Sequence, residues 1–100
     1  MRHSILDLAS AELAEAHERY EAHRPGLGLQ FVQEVRAAYD RILARPTSWP
    51  MTSKRARRCR VQRFPYNILF YVSDDEILIV AIAHLRRNPT YWHDRVSEPG

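Results

Sequence analysis

The chain carries 15 lysine and arginine residues in 100, and Lys54 is the single lysine. Arginine holds phosphates and carboxylates in a planar fork of hydrogen bonds, so its placement sets the anion chemistry open to this chain. Six basic residues fall within Lys54 to Arg63 (KRARRCRVQR), and no acid interrupts them. The rest of the chain is close to balanced. Residues 1–53 hold six arginines against seven acids, 64–83 hold only Asp74, Asp75 and Glu76, and 84–100 hold Arg86, Arg87 and Arg95 against Asp94 and Glu98. The formal charge of +3 therefore belongs to one short stretch. Such runs are commonly solvated tails, but this one lies mid-chain with Cys59 and Val61 inside it.

Other reactive side chains are few. His3, His17, His23, His84 and His93 show no H-x-x-x-H spacing and no CxxC accompanies them, so no structural metal is expected. Cys59 alone forms no intramolecular disulfide, and no cofactor motif is present. MRHSILDLAS is too polar for a secretory leader, and no apolar run approaches the roughly 18 residues of a membrane span. A cytoplasmic protein with a single domain over residues 1–100 is expected; 45% apolar with 27% charged residues is ordinary for a folded domain.

Periodicity names the elements that must position these groups. Arg2 to Leu8 suits a brief strand. Ser10 suits a helix N-cap, and Ala9, Leu13, Ala16 and Tyr20 then recur on one helical face. Arg24-Pro25-Gly26-Leu27-Gly28 breaks that helix, and Phe31, Val35, Ala38 and Ile42 mark a second one closed by Pro46. Residues 47–56 read as a loop. From 57 the period is two: Cys59 and Val61 share one face of a strand, with Arg58, Arg60 and Gln62 on the other. Tyr66–Val72 and Ile77–Ala83 follow as strands joined by a hairpin at Ser73-Asp74-Asp75-Glu76.

Both faces of these last strands are apolar. Tyr66, Ile68, Phe70 and Val72 oppose Leu69 and Tyr71; Ile77, Ile79 and Ala81 oppose Leu78, Val80 and Ile82. A two-helix hairpin covers one face only, so the other must be shielded by the C-terminal segment, a second copy or a partner protein.

The order R-P-G-L-G (24–28), F-V-Q-E-V (31–35), I-L-A-R-P-T-S-W-P (42–50), R-F-P-Y-N-I-L-F-Y (63–71) and I-V-A-I-A-H-L-R-R-N-P-T-Y-W (79–92) resembles the RelE/ParE superfamily of toxins. The resemblance covers about residues 8–95. It implies a compact α+β domain, β-α-α-β-β-β, with a helical hairpin packed on an antiparallel-rich sheet. It also implies the toxin of a bacterial type II toxin–antitoxin pair, of the plasmid-stabilisation type, and a cognate antitoxin as partner. Leu69, Tyr71, Leu78, Val80 and Trp92 are then candidate antitoxin contacts on the second sheet face.

Within the superfamily the targets diverge, between DNA gyrase for ParE-like members and translated mRNA on the ribosome for RelE-like members. RNA cleavage requires a base for the 2′-OH, cations for the phosphorane and an acid for the leaving oxygen. By resemblance, His84, Arg87 and Tyr91 would be the catalytic candidates of a metal-independent endoribonuclease. Lys54, Arg58, Arg60, Arg86 and Arg87 are candidates for target or nucleic-acid binding in either case. The near-absence of lysine departs from the RelE pattern and leaves His84 as the best titrating group. P-G-L-G and H-L-R-R-N-P-x-Y-W slightly favour gyrase inhibition. An mRNA endoribonuclease and a non-catalytic basic nucleic-acid-binding module are the alternatives. Asp94 and Arg95 read as solvated tail.

Overall fold

Arg2–Ile5 form strand β1, which leads directly into helix α1 (Asp7–His23), a short turn and helix α2 (Leu27–Ala44). Strands β2 (Ala56–Arg60), β3 (Tyr66–Val72) and β4 (Glu76–His84) complete the sheet, and a 3₁₀ turn at His93–Arg95 follows. The computed structural model describes residues 1–96. The strands lie in the order β1-β4-β3-β2, with β1 parallel to β4 and the other neighbours antiparallel. The long connection that a parallel β1–β4 pair requires is made by the helical hairpin followed by β2 and β3. The α+β expectation is met, and the strand suggested near the N-terminus is present.

Helix boundaries differ from expectation at two points. Ser10 lies inside α1, not at its cap; Leu6 occupies the cap position and its N–H is held by the Ile79 carbonyl at 2.9 Å. Pairing with β4 thus fixes where the strand stops and the helix starts. Gly28 lies inside α2, because that helix begins at Leu27 directly after Gly26, whose φ of +88° suits glycine. No side chain of its own turn caps α2. Instead Glu21 of α1 reaches across the turn and accepts the N–H groups of Gly26 (2.9 Å) and Gly28 (3.1 Å). A carboxylate at a helix N-terminus meets unsatisfied donors and the positive end of the macrodipole.

The helices bury Ala9, Ala16, Phe31, Val35, Ala38 and Ile42 against the inner sheet face. Tyr20, Phe31, Phe64 and Tyr66 pack there with ring centroids 5.0–6.3 Å apart. Full burial of a side chain such as Phe31 contributes about 2–3 kcal/mol.

The strict alternation expected for β4 fails at one residue. Ala81 pairs with Leu69 and Ile79 with Phe70, so Val80 is an extra residue without a partner on β3. A bulge of this kind reverses the facing of everything beyond it. Ile82, expected on the outer face, joins the inner core with Ile77 and Ile79, while Ala81 joins Val80 on the outer face.

Strand β2 is shorter than the alternation suggested, ending at Arg60 rather than 63 and starting at Ala56, a residue assigned to the loop. Beyond it the chain turns through Arg63 at φ +70°. The Arg60 guanidinium closes that turn by donating to the carbonyls of Val61, Phe64 and Tyr66.

Two variants test the hairpin junction. A Cβ added at Gly28 would lie 2.7 Å from the His17 carbonyl oxygen and 2.8 Å from its ring. Gly28→Ala should therefore lower unfolding stability in urea by about 1–3 kcal/mol through overpacking. The N–H groups of Gly26 and Gly28, with His17 nearby, hold the Glu21 carboxyl below its ordinary value. A depressed folded-state pKa stabilises above the unfolded value and loses that effect as pH falls through the folded one. The stability gap between wild type and Glu21→Gln should thus be full near neutrality and shrink below the ordinary carboxyl value of 4.5.

Candidate functional site

The outer sheet face is covered by the chain's own C-terminal segment. Trp92 is 2% exposed and packs with Ala56, Leu69, Tyr71, Val80, Ala81 and Ala83, with Leu78, Tyr91 and Val96 at the margin. Of the three covers that sequence left open, the segment after β4 is the one present. The five candidate antitoxin contacts, Leu69, Tyr71, Leu78, Val80 and Trp92, lie in this layer rather than on open surface.

A single carboxylate fastens that segment. Glu12, on the inner side of α1, has a side chain only 10% exposed. Its Oε2 accepts the Tyr91 hydroxyl at 2.6 Å, and the Arg95 guanidinium grips both its oxygens at 2.8 and 3.0 Å. Arg87 approaches Oε2 at 3.4 Å. Its Oε1 also takes the backbone N–H of Ile82 at 3.1 Å, next to the bulge, while Arg95 donates to the Val80 carbonyl at 3.0 Å. The guanidinium carbons of Arg87 and Arg95 lie over the Tyr91 ring, 3.8 and 5.0 Å from its centroid. Arg95, read as tail from sequence, is an 11%-exposed partner in a bidentate ion pair. No spacing rule links Glu12 to residues about eighty positions later, and this arrangement was not legible beforehand.

The catalytic candidates are brought together but are already engaged. Burial, and then the hydrogen bond to Glu12, hold the Tyr91 phenol proton on well above its ordinary range. The Arg86 N–H donates to His84 Nδ1 at 3.0 Å, so the neutral ring carries its proton on Nε2. His84 also packs edge-on against Tyr66 with centroids 5.1 Å apart. Arg87 is 55% exposed and splits its guanidinium between Glu12 and the Tyr91 ring.

The binding candidates divide differently. Arg60 is the turn clasp described above. Lys54, Arg58 and Arg86 are exposed, and their side chains make no hydrogen bond or ion pair among the described residues. Arg58 lines one cleft of about 90 Å³ with Asn67, His84, Arg87 and Tyr91. Lys54 lines another, of about 140 Å³, with Ser53, Tyr71 and His93. Among the described residues no group of His, Cys, Asp and Glu has the arrangement to hold a metal ion. No helix there is long and apolar enough to cross a membrane.

Residues 4–89 match the family model described as ParE toxin of the type II toxin–antitoxin system, parDE. The chain belongs to the ParE toxin family. Its fold is also similar to a chain of the chromosomal ParDE TA system from P. aeruginosa, with a TM-score of 0.76 at 21% identity. That superposition covers 86% of this chain and 97% of the other. Comparison with curated proteins gives no match. The family match ends at 89, so Tyr91, Trp92 and Arg95 lie beyond it, although Glu12, their common acceptor, lies within. As a member of this family the chain is a toxin of a type II toxin–antitoxin module.

Removing the charge at Glu12 should release the segment. Glu12→Gln leaves Arg95 without its counter-charge in a place where both partners are nearly buried, at a cost of about 3 kcal/mol. Hydrogen exchange should accelerate across residues 85–96 and at Ile82, while α2 retains its protection. Unchanged exchange in that segment would show that apolar packing of Trp92 alone holds it.

Proposed function

We propose that this ParE-family toxin arrests growth by binding DNA gyrase without doing chemistry of its own. The observation that supports this reading is the division of the cations. The groups an RNase would need for proton transfer are engaged, Tyr91 on Glu12 and His84 Nδ1 on the Arg86 N–H. Lys54, Arg58 and Arg86 stand exposed without partners among the described residues, as binding cations do. Arg87 adds a half-exposed charge held in place by Glu12 and Tyr91.

A second reading has one observation in its favour. Arg58, His84 and Arg87 line the same small cleft, which a scissile phosphate of mRNA would enter in a RelE-like enzyme.

Neutralisation by a cognate antitoxin is part of the same proposal. Reaching Leu69, Tyr71, Leu78, Val80 and Trp92 would require lifting the C-terminal segment. A more accessible apolar groove of about 390 Å³ runs between β1 and α2, walled by Ile5, Leu13, Val32, Val35, Tyr39 and Leu43. An antitoxin segment laying apolar side chains along this groove would bind in the helix-in-groove manner.

Induction of the chain without an antitoxin should stop growth with inhibited supercoiling and intact translated mRNA. Combined replacement of Lys54, Arg58 and Arg86 by Ala should weaken inhibition of purified gyrase at least about tenfold, whereas His84→Ala should leave it within about twofold. Cleavage of translated mRNA that disappears on His84→Ala would replace the gyrase reading with the RNase one. Ile5→Asp and Val32→Asp should reduce antitoxin co-purification while growth arrest persists.

A further inference from the structure

A cleft of about 530 Å³ opens where α1 ends and the His84 end of the sheet meets the helical turn. Arg19, Tyr20, His23, Leu27, Tyr66 and His84 line it. It lies beside the inner sheet face, whereas the segment held by Glu12 covers the outer one. Its volume falls within the ~300–1,000 Å³ of small-molecule sites.

The charge of the lining is one-sided. One arginine and two histidines face the cleft and no carboxylate does. The acids nearby are directed elsewhere: Glu21 to the N–H groups of Gly26 and Gly28, and Glu12 to Tyr91, Arg87 and Arg95. Glu15, with Glu12, lines a smaller neighbouring cleft that shares Arg19, Tyr66 and His84, and neither acid pairs with Arg19.

Arg19 itself is oriented without being neutralised. Its Nη2 donates to the Tyr66 hydroxyl at 2.7 Å, and it makes no ion pair among the described residues. A guanidinium aimed by a neutral phenol keeps its charge and its remaining donors for a ligand. His84 is oriented too, because the Arg86 N–H on Nδ1 leaves Nε2 as the donor. Tyr66 packs edge-on against both His84 and Tyr20, at 5.1 and 6.3 Å, which makes a stiff aromatic wall beside these donors.

We propose that this cleft binds a nucleotide, with its phosphate on Arg19, His23 and His84 and its base against Tyr20 and Leu27. A charge-assisted fork for the phosphate and a ring surface for the base are the two recognitions such a ligand needs. The same chemistry serves a free nucleotide or one unit of a single strand. It stands apart from the gyrase reading, since it rests on Arg19, Tyr20 and His23, which that reading does not use.

The test is NMR titration of the isotope-labelled full chain with adenosine 5′-monophosphate, adenosine and inorganic phosphate. The nucleotide should shift the His23 and His84 ring signals saturably at millimolar concentration or below. Adenosine and phosphate should each bind at least about tenfold more weakly. Arg19→Gln should weaken nucleotide binding by roughly tenfold, the loss of one charge-assisted hydrogen bond, with the remaining spectrum unchanged. Arg45→Gln, which removes a charge at the far end of α2, should leave it unaltered. A single-stranded pentanucleotide that binds more tightly through the same Arg19-dependent shifts assigns the cleft to a nucleic-acid strand. Equal affinity assigns it to the free nucleotide, and both results sustain the proposal. It is overturned if millimolar nucleotide leaves His23 and His84 unmoved, if phosphate alone binds equally well, or if Arg45→Gln matches the loss on Arg19→Gln.

Discussion

The Glu12 carboxylate is the constraint on which the two faces of the sheet depend. An acid 10% exposed is tolerable only with donors on both oxygens, and Tyr91, Arg95, Arg87 and the Ile82 N–H supply them. The donor from Ile82 lies beside the β4 bulge at Val80, where the register steps. The same bulge turns Ile82 into the inner core and Ala81 outward. Arg95 then joins the carboxylate to the Val80 carbonyl, so helix α1, the bulge and the C-terminal segment form one network. With the segment fixed, Trp92 closes the outer layer and the second apolar face needs no other cover within the chain.

The arginines divide by job. Arg95 and Arg60 hold the fold, one at Glu12 and one across the turn after β2. Arg57 does likewise, donating to the Trp49 carbonyl at 2.8 Å. Arg87 stands between the classes, paired yet 55% exposed. Lys54, Arg58 and Arg86, like Arg63 and, in the helical hairpin, Arg24, Arg36 and Arg45, present exposed side chains without partners among the described residues. A basic run in sequence is therefore not a uniform basic surface. Alternation sends Arg57 inward to the loop and Arg58 outward, and a guanidinium that binds carbonyls keeps its charge but loses its reach.

The parts of the fold legible beforehand were those set by local periodicity. The stripe Phe31, Val35, Ala38 and Ile42 gave α2, and the apolar runs at 66–72 and 77–83 gave β3 and most of β4. Local reasoning failed where a distant residue decided. Leu6 displaced Ser10 as the cap of α1 because β4 holds its N–H. Ala81 and Ile82 exchanged faces because an unpaired residue fits the sheet there. The site was half legible: His84, Arg87 and Tyr91 do come together, but Glu12, which ties Arg87 and Tyr91 down, carried no signal beyond being an acid in the first turns of a helix.

By itself the sequence determined the family, the two helices, the antiparallel strands and the concentration of charge between Lys54 and Arg63. These follow from side-chain types and spacings, and local chemistry suffices to read them. The tertiary structure decided which of those charges remain free and what shields the second face of the sheet. The first is set by short clasps, Arg60 on the carbonyls of Val61, Phe64 and Tyr66 and Arg57 on that of Trp49. The second depends on contacts between residues some eighty positions apart, such as Glu12 with Tyr91 and Arg95. No period in the chain encodes such a contact; it exists only once the sheet has brought α1 and the C-terminal segment to the same place.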